Sequence, residues 1–173
     1  MADKRPFIAL NIAVLTISDS RRLEEDVSGQ VLQDALTAAG HQCHDRTLVR
    51  DDKYAIREVV SRWINAPEIN AILTTGGTGI TGRDGTPEAI RPLLDKEIEG
   101  FGEAFRQLSY TEIGSSSLQS RALAGVANST YTFVLPGSSG ACRTAWSSLI
   151  SHQLDNRTLP CNLVMLMPRL DET

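Results

Sequence analysis

The chain has 173 residues, 41% of them hydrophobic and 22% charged, and a formal net charge of −4. That length fits one domain, expected to span residues 1–173, with enough apolar content for a core that needs no covalent staples. The acidic balance argues against a nucleic-acid partner, and no stretch approaches the roughly 20 apolar residues of a membrane span.

The first segment, MADKRPFIALNIAVLTISDS, places a short apolar run after basic residues, as a secretory leader does. It has no small-residue cleavage site, and its β-branched content suits a strand, so Phe7 to Ile17 is read as a strand covered on both faces. A polar loop follows. Val31, Leu32, Ala35, Leu36 and Ala39 then recur at helical spacing, with Gly40 where a C-cap belongs. Gln42 to Val49 reads as a second strand, and Ile56, Val59, Val60, Trp63 and Ile64 mark a helix that ends near Pro67. Ile69 to Thr75 reads as a third strand. Thr86 with Pro87 starts a helix, which Pro92 shortens or kinks. Phe101 to Tyr110 is helical, Tyr131 to Leu135 is a strand, and Ser138 or Ser139 caps a helix running to about Leu154. This alternation implies a mainly parallel sheet with helices on both faces. Three scattered cysteines, Cys43, Cys142 and Cys161, point to reduced thiols in a cytoplasmic protein.

The stretch ILTTGGTGITGRDGTPEAI, from Ile72 to Ile90, concentrates the chemistry. In an open α/β sheet, ligands lie outside the carboxyl ends of the strands, and this loop leaves such an end. Gly76, Gly77 and Gly79 let backbone N–H groups approach an anion, Thr75 and Thr78 add hydroxyls, and a helix N-terminus follows. A tight turn requiring positive φ is the plainer alternative. Gly77, Gly79 and Gly82 satisfy G-x-G-x-x-G, but the helix starts too late and in the wrong unit for a dinucleotide site. Arg83-Asp84 stands where a P-loop carries Lys-Ser/Thr, which disfavours a Walker-type site.

Asp84 is informative because a carboxylate beside an anion site repels the anion unless a cation lies between them. Magnesium fits, binding through one or two carboxylates plus substrate phosphates. The alternative is an acid placed for the helix macrodipole. Asp51 and Asp52 follow the second strand at the same edge and either share that metal or begin the next helix. Pro136, Gly137, Ser138 and Ser139 form a second loop that either holds a polar group or only caps a helix. His41, Cys43 and His44 lack the partners and spacing of a metal site.

LTTGGTGITGRDGTPEAI, EIEGFGEAFRQLS, LQSRALAG and LPGSSGACR, in this order, resemble the molybdenum-cofactor biosynthesis family of MoaB and MogA proteins. The likeness runs from AVLTISDSR to about Leu154, and the PGSSGACRTAW segment is closer to the MoaB branch. The resemblance implies a three-layer α/β/α sandwich that binds molybdopterin, a pterin dithiolene with a terminal phosphate. It further implies AMP transfer from ATP to that phosphate with release of pyrophosphate, and assembly as a trimer or as a hexamer of two trimers. Carried over by motif, Thr75, Gly76, Gly77, Thr78 and Gly79 would hold ligand phosphate, and Asp84 and Asp51 would be the catalytic acids and magnesium ligands. Arg50 stands where the related motif has Pro, which weakens the match at Asp51. Ser18, Asp19, Glu103, Arg106, Ser109, Pro136, Gly137 and Ser138 would line the rest of the pocket. A carrier that binds the pterin without transferring AMP is the rival reading, and a nicotinamide-dependent oxidoreductase is a distant third.

Overall fold

The structure is a computed structural model that describes residues 5–173; the first four residues of the N-terminal segment weighed above lie outside it. Six strands form one sheet in the order β2-β1-β3-β6-β5-β4: β1 Asn11–Ile17, β2 Gln42–Val49, β3 Ala71–Thr75, β4 Lys96–Glu97, β5 Leu123–Ala127 and β6 Thr130–Leu135. The pairs β1–β2, β1–β3 and β3–β6 are parallel, whereas β5 pairs antiparallel with both β6 and β4. Among the described residues six α-helices accompany them: α1 Val27–Ala38, α2 Lys53–Ile64, α3 Thr86–Ile90, α4 Glu99–Ile113, α5 Ser139–Ala145 and α6 Ser151–Gln153, the last two joined by a π-turn over Trp146–Ile150.

Two apolar clusters, one on each sheet face, make the three layers. Strand side chains alternate between faces, so Ile12 and Val14 pack with Leu32, Leu36, Phe105 and Trp146, while Ala13, Leu15 and Ile17 pack with Ile56, Val60 and Trp63. The first cluster draws on α1, α4 and α5, the second on α2 and α3. This is the expected α/β/α sandwich.

Several boundaries differ from the sequence reading for identifiable reasons. Residues 7–10 do not join the sheet. The amides of Ile8 and Leu10 bond instead to the side chains of Asn156, at 3.0 Å, and His41, at 3.1 Å. Helix α3 ends at Ile90, and Arg91–Leu93 continues as a 3-10 turn containing Pro92, as the proline position demanded. Strands β4 and β5 went unread. Their sequences, KE and LAGVA, lack the bulky β-branched pattern of the inner strands.

The topology fixes where a site belongs. From β1 the chain crosses to β2 on one side and then to β3 on the other, so the carboxyl ends of β1 and β3 flank a switch point, where open α/β sheets bind ligands.

Candidate functional site

The glycine loop leaves β3 at that switch point, and each early glycine answers a steric demand. Gly76 has φ +108°, and a Cβ there would lie 2.1 Å from the Ile17 carbonyl at the end of β1. Gly77 has φ +66°, and its Cβ would meet Thr86 Oγ1 at 2.2 Å and Asp51 Oδ2 at 2.7 Å. A Cβ on Gly79 would sit 2.6 Å from Asp84 Oδ2. The loop therefore runs between two carboxylates from different segments, with Asp51 packed against Gly77 and Asp84 against Gly79.

Hydrogen bonds hold the loop closed. The Gly76 amide donates to Leu135 O at 3.0 Å, and Thr86 returns its amide to Gly77 O at 3.0 Å and its hydroxyl to Gly76 O at 2.9 Å. Among the described residues, the Gly77 and Thr78 amides donate to no protein acceptor. Helix α3 spans only five residues, so donors for an anion come from the loop amides more than from a macrodipole.

Facing the loop is a cavity of about 400 Å³. It brings together Gly77, Thr78, Gly79 and Asp84 with Ser109 of α4 and Pro136, Gly137 and Ser138 of the β6–α5 connection. Phe105, Ile113, Gln119 and Ser120, which the sequence did not single out, complete much of its wall. Ser138 is the N-cap of α5, its hydroxyl accepting the Ala141 amide at 3.2 Å.

The remaining residues lie elsewhere. Thr75 is fully buried, and its hydroxyl donates to Pro136 O at 2.8 Å; it ties the two loops together instead of lining the cavity. Gly76 is likewise outside the lining, held against β1. Asp51, Ser18 and Asp19 do not line the cavity either. The Ser18 hydroxyl accepts the Arg21 amide at 3.2 Å, and Asp19 accepts the Asp51 amide at 3.1 Å while pairing with Arg83 at 2.7 Å. Glu103 and Arg106 open onto a separate concavity of about 320 Å³ that meets the first at Ser120. Arg106 lies along α4, donating to Ala122 O at 3.0 Å over Gly102, where a side chain would collide with it.

The two acids differ in charge state. The Thr81 hydroxyl, 2.6 Å from Asp84 Oδ2, leads in holding that carboxyl below its usual range, with the Thr81 and Gly79 amides and Arg121 adding to it. Burial pushes the Asp51 carboxyl up, and the neighbouring Asp19 and Asp84 carboxylates push it the same way, against a bond from the Gly85 amide at 3.3 Å and the Arg83 charge. Among the described residues, no three His, Cys, Asp or Glu side chains form a ready-made metal cage. Asp84 on the cavity wall and Asp51 behind the glycine turn are nevertheless oxygen donors of the kind magnesium takes beside a phosphate, and a cation between them would relieve the repulsion that Asp51 feels.

Residues 13–156 match the family model described as "Probable molybdopterin binding domain". The chain belongs to this molybdenum cofactor biosynthesis family. It is 54% identical over 156 residues, 90% of this chain and 92% of the other, to Molybdenum cofactor biosynthesis protein B of Escherichia coli (strain K12). A crystal structure of a protein of that name superposes with a TM-score of 0.84 at 46% identity, covering 87% of this chain and 94% of the other. The tungsten cofactor synthesizing protein MoaB from Pyrococcus furiosus superposes with a TM-score of 0.75 at 36% identity, over 83% and 92% of the two chains. Within the molybdopterin-binding domain family, then, the glycine loop, Asp84 and the β6–α5 loop of this chain form one cavity at the sheet's switch point. Among the described residues, no helix is long and apolar enough to cross a membrane.

Proposed function

We propose that this protein binds molybdopterin in the cavity between the glycine loop and the β6–α5 loop, and transfers AMP to it from magnesium ATP in the cytoplasm. A terminal phosphate oxygen of the pterin attacks the α-phosphorus of ATP, the new P–O–P bond forms, and the bond to the β-phosphate breaks to release pyrophosphate. The observation that carries this reading is the pair of acids, Asp51 and Asp84, packed against opposite ends of a glycine turn whose Gly77 and Thr78 amides have no protein acceptor among the described residues.

Such a transfer joins two polyanions, so alignment and charge neutralisation matter more than covalent help from the protein. Free loop amides and the Thr78 and Ser138 hydroxyls suit the first task. Asp51 and Asp84 are the residues that would hold magnesium, which when bound offsets phosphate charge. Exposed Ile80, Ile113 and Leu118 border this region at 70%, 57% and 81% exposure, and burying them supports assembly as a trimer or a hexamer.

The test is to incubate the pure protein with molybdopterin, ATP and magnesium and to measure pyrophosphate. Release by the native chain, lowered about a hundredfold or more in a folded Asp84→Asn variant, supports the transfer. Tight pterin binding with no release supports a carrier, and unchanged turnover in Asp84→Asn ends the assignment of that acid.

A further inference from the structure

Arg121 lies just before β5, and the glycine loop turns toward its guanidinium. Its Nε donates to Gly79 O at 2.9 Å and to Thr78 O at 3.3 Å, and its Nη2 donates to Asp84 O at 3.0 Å. Nη1 holds the Glu88 carboxylate at the start of α3. Three carbonyls of one loop thus converge on one planar fork. A lysine, with its compact ammonium, cannot reproduce that geometry.

What lies on the far side of those carbonyls gives the contact its meaning. A trans peptide is planar, so fixing its C=O also fixes its N–H in the opposite direction. The Thr78–Gly79 peptide gives its oxygen to Arg121 at 3.3 Å, and its N–H is turned toward the Asp84 carboxylate. The Asp84–Gly85 peptide gives its oxygen to Arg121, and its N–H donates to Asp51 Oδ1 at 3.3 Å. One side chain therefore orients two amide donors, each of which meets one of the two acids.

We infer that Arg121 is a positioning residue that places Asp84 and Asp51 relative to one another through the peptide planes of the glycine loop. The inference rests on the reading of those acids as the reacting pair. The competing view is that Arg121 merely makes a surface ion pair with Glu88, and such pairs contribute little. That pair accounts for only one of its four bonds, and the side chain is mostly buried, at 31% exposure.

The experiment uses the full chain with Arg121→Ala and Arg121→Lys, and with Arg169→Met as a control that removes a remote surface ion pair to Glu172. Amide hydrogen exchange is followed at Gly79 and Gly85, and pyrophosphate release is resolved into kcat and KM. Exchange at both amides should quicken by about tenfold or more in Arg121→Ala and Arg121→Lys, and not in the control. In both variants kcat should fall more than KM rises, and millimolar guanidinium ion should restore part of the kcat of Arg121→Ala. Native exchange rates at Gly79 and Gly85 in the substituted chains would overturn the inference. If the unaltered protein releases no pyrophosphate, the transfer reading fails, while the exchange rates still decide what Arg121 does. Should Arg121→Ala not fold, Arg121→Lys and Glu88→Gln, which loosens the Nη1 anchor, carry the same exchange measurement.

Discussion

Replacing Gly76 by alanine isolates the geometric demand of the glycine loop from its chemistry. The new methyl would lie 2.1 Å from the Ile17 carbonyl, a backbone atom at the end of a central strand, and the residue would have to keep φ +108°. Neither partner is free to retreat. The Gly76 amide is bonded to Leu135 O, its carbonyl accepts the Thr86 hydroxyl, and β1 is paired on both sides. Left-handed strain for a residue with a side chain costs about 1–3 kcal/mol, and one forced methyl adds about as much, for a total of about 2–6 kcal/mol. At this chain length each kcal/mol moves Tm by roughly 2–4 °C, so a fall on the order of 10 °C is expected in a thermal melt. Gly82→Ala is the internal comparison, because its Cβ would meet nothing within 4 Å and its φ is not positive; it should change stability by less than about 1 kcal/mol. A Gly76→Ala protein melting within about 2 °C of the native chain would refute the steric reasoning.

Two acids, half-buried Asp51 and buried Asp26, should show opposite pH trends. Because burial raises the folded-state pKa of Asp51, ionising it costs the native fold stability, and that cost appears as pH rises from the unfolded carboxyl pKa through the folded one. Asp51→Asn should therefore be more stable than the native chain at pH 7, with the gap closing in acid, while losing about a hundredfold or more of any pyrophosphate release. Melts across pH 3.5–7 that show a constant gap would contradict this. For Asp26, burial acts to raise the pKa but is overcome by the Thr16 hydroxyl at 2.6 Å, the Gly29 amide at 2.9 Å and Arg46 at 3.1 Å, so the net shift is downward. Its stabilisation is present above the unfolded pKa and is lost as pH falls through the folded one. Asp26→Asn should cost about 3–5 kcal/mol near neutrality by leaving Arg46 without its buried partner, and the deficit should shrink in acid. A deficit independent of pH in chemical denaturation would count against it.

Sequence periodicity revealed those parts of the fold whose residues report their own neighbours. The spacing of Val31, Leu32 and Leu36 in α1, and of Ile56, Val60 and Trp63 in α2, marks the faces that the structure buries. Strand β5 was opaque because its small residues answer a partner distant in sequence. At Gly125 a side chain would collide with Leu94 and with the Lys96 carbonyl, so LAGVA is selected by close approach, not by strand propensity. The Asn128-Ser129 pair, with φ of 46° and 66°, was an available hairpin cue between β5 and β6. In the site, the glycine loop and Asp84 were legible because they are contiguous. Glu103 and Arg106 were drawn in by motif, but the cavity is lined by the stripe Phe105, Ser109 and Ile113, and a rotation about α4 turns the other two onto the neighbouring concavity. Arg121 carried no local signal, since the carbonyls it holds lie 37 to 43 residues earlier.

The distribution of positive charge around these acids bears on what the site requires. Arg83 is spent on Asp19, gripping it through two nitrogens, and Arg121 directs its donors to carbonyls and Glu88. Neither makes a hydrogen bond to the Asp51 or Asp84 carboxylate. A lysine bonded directly to Asp51 would offset that repulsion more fully than the Arg83 charge does. This chain instead holds both carboxylates against a rigid glycine turn with amide donors, which preserve their charge without neutralising it. Such an arrangement is favourable only if something else supplies the positive charge when a phosphate arrives, because the phosphate adds to the repulsion. On the proposed reading, the raised pKa of Asp51 would be the cost of leaving room for a cation. That cost is why removing Asp51 should strengthen the fold and weaken the chemistry together, an outcome that a purely structural carboxylate would not give.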